Sequence, residues 1–359
     1  MNNLSNLNSD TWVNGLTKQI IADSEILRSR LNGLSRISEK LRGLNVALDA
    51  IARMAPFDQF THVPVRLKNS YKEVLSIPTG IGDIFSARMI NRDEILYGHS
   101  SGISHAYPGE YKRYSKILPL IESELCSFHI TPRMHIIYGT SYGAVRLFAA
   151  TGGKDVVIAK FDGPVISVQG LTSGKIACLV QGRGPFLLEQ SLSEKWSAQM
   201  LFDASSLTHM RIIGDSVFTG DATGVVAVWD RDARGVWNEE QIVNLECEVS
   251  ELEVLPNGRV VALCEKEMMF SDIQKDMERS VREYTHSKDL LCATGTLDGR
   301  IIIGLDDGTI EIQKFASRRS WEQLKGHTAA IRSIQILQDG RIISSADDGT
   351  IRIWDGQDE

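Results

Sequence analysis

A chain of 359 residues with a formal net charge of −7 has room for one large folded domain and an appendage. It carries too little positive charge for a general nucleic-acid or anionic-membrane binder. No apolar run approaches the roughly 18–20 residues of a membrane span, and the opening MNNLSNLNSDTW lacks the basic and apolar regions of a secretory signal. The cysteines (Cys126, Cys178, Cys247, Cys264 and Cys292) are widely spaced in strand-like segments. They read as buried free thiols, which predicts a reducing, cytoplasmic setting.

Residues 1–12 form a polar tail. From 13 to 54 the pattern becomes heptad-like: Val13, Ile20, Leu27, Leu34, Leu41 and Leu48 are seven apart, with Leu16, Ile37, Leu44 and Ile51 three residues after four of them. Apolar a and d positions at this spacing predict a coiled-coil helix. From Ile20 to Ile51 it would span about 48 Å. The seam Ile20, Leu27, Leu34, Ile37, Leu41, Leu44, Leu48 and Ile51 is the expected oligomerisation surface. Asp23 and Arg30 at d weaken its first half, and the second half favours a trimer or tetramer, with a dimer open. The competing reading folds the helix back as a hairpin or lays it along the following domain. Met54-Ala55-Pro56 ends the helix, and 55–69 reads as a linker.

The remainder, 70–359, is periodic. Turn positions recur near Gly102, Gly143, Gly184, Gly224, Glu267, Gly308 and Gly349, at intervals of 41, 41, 40, 43, 41 and 41 residues. Between them run alternating apolar residues bounded by Asp-Gly and Asn-Gly pairs, the signal of consecutive hairpins. A period of this size predicts an all-β fold, a seven-bladed β-propeller of four-stranded blades. The last repeat ends on its Trp354-Asp355 strand and lacks an outer strand. Tyr71–Ile77 is therefore expected to pair with Ile351–Trp354 and close the ring.

His327, Ser344, Asp348 and Trp354 make this last repeat resemble the WD-repeat family, whose members lock a blade with a relay of hydrogen bonds at those four positions. The other repeats are degraded copies: Trp229-Asp230 survives in one, Asp307-Gly308 and His286 in another. The layout of coil plus propeller is similar to that of Groucho and Tup-type corepressors, in architecture only. Such a resemblance implies a non-catalytic interaction scaffold without cofactors. Consistent with that, the chain has no P-loop, Gly-x-Ser-x-Gly elbow, His-Glu-x-x-His or Cys-x-x-Cys.

In WD-repeat proteins partners dock on the face where the inner strands begin. By the period, one ring of positions on that face is Asp83, Glu124, Pro164, Glu248, Asp289 and Ala330. A second is Ser100, Ser141, Glu265, Asp306 and Asp347, with Arg332 beside them. Seven carboxylates predict an acidic top face and a basic peptide or protein partner, attracted most strongly at low salt. Two alternatives stand: a microbial effector or defence-associated protein using its polar N-terminus for export, and an enzyme with its site in the propeller channel.

Overall fold

The computed structural model describes residue 67 and residues 70–82, 84–91, 94–107, 114–119, 124–131, 135–149, 154–255, 258–272, 282–296, 299–314, 317–337 and 339–357. The polar tail, the heptad segment with its oligomerisation seam, nearly all of the linker and Asp83 lie outside these residues. No helix occurs among the described residues, and therefore none long and apolar enough to cross a membrane.

The first strand, β1 (Ser70–Pro78), belongs to the last blade. Blade one then comprises β2 (Ile84–Asn91), β3 (Glu94–His99), β4 (Gly102–Ala106) and β5 (Tyr114–Pro119). Blade two is β6 (Leu125–Ile130), β7 (His135–Thr140), β8 (Ala144–Ala149) and β9 (Val156–Lys160). Blade three follows with β10 (Val165–Gly170), β11 (Ile176–Val180), β12 (Gly184–Gln190) and β13 (Trp196–Met200). Blade four contains β14 (Leu207–Ile213), β15 (Ser216–Asp221), β16 (Val225–Arg231) and β17 (Trp237–Asn244). Blade five has β18 (Glu251–Val254), β19 (Arg259–Cys264), β20 (Glu267–Asp272) and β21 (Arg282–Thr285). Blade six is β22 (Leu290–Gly295), β23 (Ile301–Leu305), β24 (Ile310–Lys314) and β25 (Ser317–Leu324). Blade seven is β26 (Ile331–Ile336), β27 (Ile342–Ala346), β28 (Thr350–Gln357) and the borrowed β1. Each blade is an antiparallel four-stranded sheet, and the first strands of neighbouring blades pack on one another around a central channel.

Packing explains why the sequence reads as nearly continuous apolar runs. Successive side chains of a strand point to opposite faces of its sheet, and each sheet lies between two others. Ile342 and Trp354 face blade six, whereas Ile343, Ile351 and Ile353 face blade one. Seven apolar clusters result, one at each junction between consecutive blades. Several junctions require a glycine in the second strand. A Cβ at Gly139 would meet the Val165 carbonyl oxygen at 2.4 Å, and one at Gly304 would meet Ile331 at 2.6 Å. The side chain that opens each next inner strand occupies the vacated space.

Most turns between the second and third strands use a glycine in the left-handed region, as at Gly143 (φ 79°), Gly308 (φ 86°) and Gly349 (φ 73°). Blade five departs from the sequence reading. Cys264 pairs with Glu267, so Glu267 begins β20 and the turn shortens to Glu265-Lys266. With no glycine available, Glu265 itself adopts φ 49°, which costs roughly 1–2 kcal/mol for a residue with a Cβ.

The ring closes as the missing outer strand required. β1 pairs antiparallel with β28, Ile77 opposite Ile351 and Ser76 opposite Arg352. Glu73 forms an ion pair with Arg352, and the Tyr71 hydroxyl donates to the Gly340 carbonyl at 2.9 Å. Leu67, at the end of the expected linker, is buried between blades six and seven and accepts a hydrogen bond from Arg300 at 3.0 Å.

The expectation of five free thiols is corrected at two of them. Cys247, in the connection between blades four and five, forms a disulfide with Cys264 at the end of β19, with Cα atoms 5.9 Å apart. The junction brings together residues that the linear sequence assigns to different repeats. Cys126, Cys178 and Cys292 are free.

Candidate functional site

Blade seven carries a continuous hydrogen-bond chain. The Trp354 indole Nε1–H donates to Ser344 Oγ at 2.9 Å, and Ser344 Oγ lies 2.8 Å from His327 Nε2. His327 Nδ1 lies 2.9 Å from Asp348 Oδ2. With the serine hydroxyl donating to Nε2, the imidazole is neutral and donates from Nδ1. Burial pushes the His327 pKa down, and the facing Asp348 offsets only part of that. Burial by itself would raise the Asp348 pKa, but hydrogen bonds from Thr350, Thr328 and His327 outweigh it and hold the carboxyl below its ordinary value. The relay is interior and holds the strands of the blade to the loop before it.

The degraded repeats keep fragments of this device. In blade four, Trp229 donates to Thr219 Oγ1 at 3.0 Å, while Asp221 caps the turn by accepting from the Thr223 and Val225 amides at 2.8 and 2.9 Å. Ser206 takes the place of the histidine, donating to Asp221 at 3.3 Å. In blade six, His286 does not reach Asp307. Its Nδ1 accepts from the Lys288 amide at 3.0 Å, and Lys288 pairs with Asp307 instead.

The two rings of positions expected on the top face lie side by side. The backbone carbonyls of Glu124, Pro164, Asp289 and Ala330 accept from the amides of Ser141, Gln181, Asp306 and Asp347 at 2.9–3.1 Å. Blade four supplies the pair Ser206 and Ala222, 3.0 Å apart, which sequence reasoning missed. Ser206 was findable by adding one period to Pro164. Successive blades are joined at this level as well: the Leu290 amide donates to the Glu265 carbonyl at 2.7 Å. Glu265, Asp289 and Asp306 thus form a connected strip over blades five and six, with Glu248 at the start of blade five.

The carboxylates differ in their state. Asp347 is neutralised by Arg332, whose Nε lies 2.9 Å from both carboxylate oxygens and whose Nη2 lies 2.6 Å from Oδ2. It therefore contributes little field to an incoming partner. Glu124, Glu248 and Glu265 are solvent-exposed, as is Asp306, and Asp289 is half-buried. Among the described residues none of these five makes a side-chain ion pair. A groove of about 500 Å³ adjoins the same face, between blade four and the connection that leads into it. Asp203, Asp221, Glu239 and Trp229 are among its walls, and Trp229 stacks on Phe202 with centroids 3.9 Å apart.

Among the described residues no group of three or more His, Cys, Asp or Glu side chains is arranged to hold a metal ion.

Residues 319–355 match the family described as WD domain, G-beta repeat. No curated protein matches the chain in sequence. Among solved structures, the WD40 β-propeller domain of Doa1 is similar, with a TM-score of 0.66 at 13% identity, covering 80% of this chain and 98% of that one. In all, 1475 solved chains match, a breadth that marks a widely reused scaffold and assigns no function by itself. The chain is a seven-bladed β-propeller similar to those of WD40 proteins, with one repeat that matches the family in sequence.

Proposed function

We propose that this protein is a non-catalytic interaction scaffold that captures a basic protein or peptide on the acidic strip of its propeller. The observation that carries this reading is the row Glu265–Asp289–Asp306 with neighbouring Glu248, three of them exposed and Asp289 half-buried, whose carboxylates lack cationic partners among the described residues. Like charges held together by a rigid scaffold raise the local negative potential and attract a basic surface over about a Debye length. The residues before the propeller supply the second half of the reading. An assembly through the 13–54 seam would present several propellers together and strengthen weak contacts by about 10²–10⁴.

The test is binding by the intact protein and by an Asp289→Lys/Asp306→Lys variant, each at low and at raised salt. The proposal expects partner binding that weakens steeply with salt and is lost in the variant. Salt-insensitive binding that survives the double charge reversal would overturn it. Comparison with a chain lacking residues 1–55 separates recognition from avidity: recognition persists at lower apparent affinity if the first segment oligomerises.

A further inference from the structure

The channel end of each inner strand holds an arrangement that the top face does not use. Strand registers align one residue per blade at the same level: Arg88, His129, Gln169, Arg211, Glu253, Thr294 and Gln335 pair with, or sit opposite, equivalent positions of the second strand, as Arg88 with Leu96 and Gln335 with Ile343. Three of these side chains reach sideways to the following blade. Gln335 accepts from the Met89 amide at 2.9 Å, and Gln169 both accepts from the Ile212 amide at 2.9 Å and donates to its carbonyl at 2.8 Å. Arg211 donates to Glu251 at 3.2 Å and Glu253 at 3.3 Å.

Arg88 and Arg211 are positional twins. Each guanidinium donates through Nη1 to the carbonyl of its preceding residue, Ala87 at 3.0 Å and Met210 at 3.1 Å. The blade after Arg211 supplies two carboxylates. The blade after Arg88 supplies Ser127 and His129, neither of them anionic, and Ser127 donates to the Val165 carbonyl. No carboxylate among the described residues lies within ion-pair distance of Arg88. His129 has no hydrogen-bond partner among the described residues either. The two adjacent ring members without a side-chain bond to the following blade among the described residues are thus a guanidinium, held to the Ala87 carbonyl of its own strand, and an imidazole, both half-buried.

We propose that Arg88 and His129 form a binding site for a hydrogen-phosphate-type oxyanion, free or as a phosphate monoester, in the propeller channel. The guanidinium supplies the charge and a planar pair of donors. The neutral imidazole adds one further donor, and together the two groups suit a tetrahedral oxyanion with three acceptor oxygens better than a carboxylate with two. Other charged or titratable groups facing this region are Arg211, His209, Glu251, Glu253 and Cys292. The two glutamates are engaged by Arg211, which limits their repulsion of the anion. His129 is held neutral, its pKa pushed down to about 4 by burial and then by Arg88 and Arg211. An anion at Arg88 would relieve the charge that acts on it.

The experiment uses the full chain and its Arg88→Gln variant at constant ionic strength, each titrated with inorganic phosphate, glycerol phosphate or acetate and followed by isothermal titration calorimetry. Modification of Arg88 by phenylglyoxal, read by peptide mass spectrometry, reports occupancy in the unmutated protein. Expected are saturable protection by inorganic phosphate, weaker or absent protection by acetate, and binding at least about tenfold weaker in Arg88→Gln. Protection by inorganic phosphate alone would assign a free-anion site, and equal or stronger protection by glycerol phosphate a monoester site. Either supports the proposal. Non-saturable protection, equal protection by acetate, or unchanged binding in Arg88→Gln would overturn it. Arg211→Gln does not serve as a control, because it would strand Glu251 and Glu253.

Discussion

Replacing Ser344 with alanine tests whether the relay stabilises blade seven as its geometry implies. The side chain is fully buried, and so is its neighbourhood: Ser344 is 0% and Trp354 2% exposed. Losing Oγ removes two hydrogen bonds, each with a net value of about 1 kcal/mol. It also leaves the Trp354 indole N–H and His327 Nε2 in a dry interior, where an unmet donor or acceptor costs about 1–3 kcal/mol. These contributions overlap, and slight relaxation around the small void recovers part of them. The expected net loss is about 2–4 kcal/mol, or roughly 3–7 °C for a domain of this size. Thermal and urea unfolding followed by tryptophan fluorescence and far-ultraviolet circular dichroism would measure it. A double-mutant cycle with Trp354→Phe should return a coupling of about 1 kcal/mol between the two sites. A Ser344→Ala loss below about 0.5 kcal/mol, with no coupling, would refute the assignment of the relay as a lock.

Three further outcomes follow from the geometry. Gly139→Ala should lower stability by about 1–3 kcal/mol by urea denaturation, because its Cβ would lie 2.4 Å from the Val165 carbonyl oxygen; a neutral result would contradict the close junction of blades two and three. Ile77→Ala should cost about 2–5 kcal/mol and expose β28 to proteolysis, because Ile77 is 6% exposed in the cluster between blades seven and one. An unchanged melting temperature would show that β1 does not close the ring. Finally, burial and then the Arg211 charge push the His209 pKa down to about 4. A folded-state pKa below the unfolded value means that His209's contribution is complete above about pH 6.5 and is lost as pH falls toward 4. Wild-type stability should therefore fall by about 1–3 kcal/mol relative to His209→Gln between pH 7.5 and about 4.5. The raised carboxyl pKa values of Glu251 and Glu253 act in the opposite sense but are common to both proteins. A pH-independent difference would refute the burial of His209 in its neutral form.

The propeller was legible because its constraints are local and repeated. Asp348-Gly349 and its counterparts fix a left-handed turn, and each apolar run must feed two interfaces, so a 41-residue rhythm survives even where the Trp-Asp pair is gone. The missing outer strand after Trp354 pointed to Tyr71–Ile77 because a sheet edge calls for a partner. The features that escaped depend on which side chains the fold brings into contact. Asp347 read as an open carboxylate because the sequence places Arg332 on the same face without showing that the two pair within blade seven. Cys247 and Cys264 meet across a blade junction, and Asp221 replaces the turn aspartate of blade four from two residues upstream. The likeness of Arg88 to Arg211 appears only once bulged strands are aligned, since a bulge shifts the count by one residue. The heptad seam at Ile20–Ile51 lies outside the described residues and remains the proposal that the sequence makes.

The most direct test of the account is the salt dependence of partner binding by the full chain, with and without Asp289→Lys/Asp306→Lys. The account predicts binding that falls steeply between low and physiological salt and is abolished by the charge reversal, while the melting temperature of the variant stays near that of the wild type. Binding of the same partner with unchanged strength by the folded variant would contradict it.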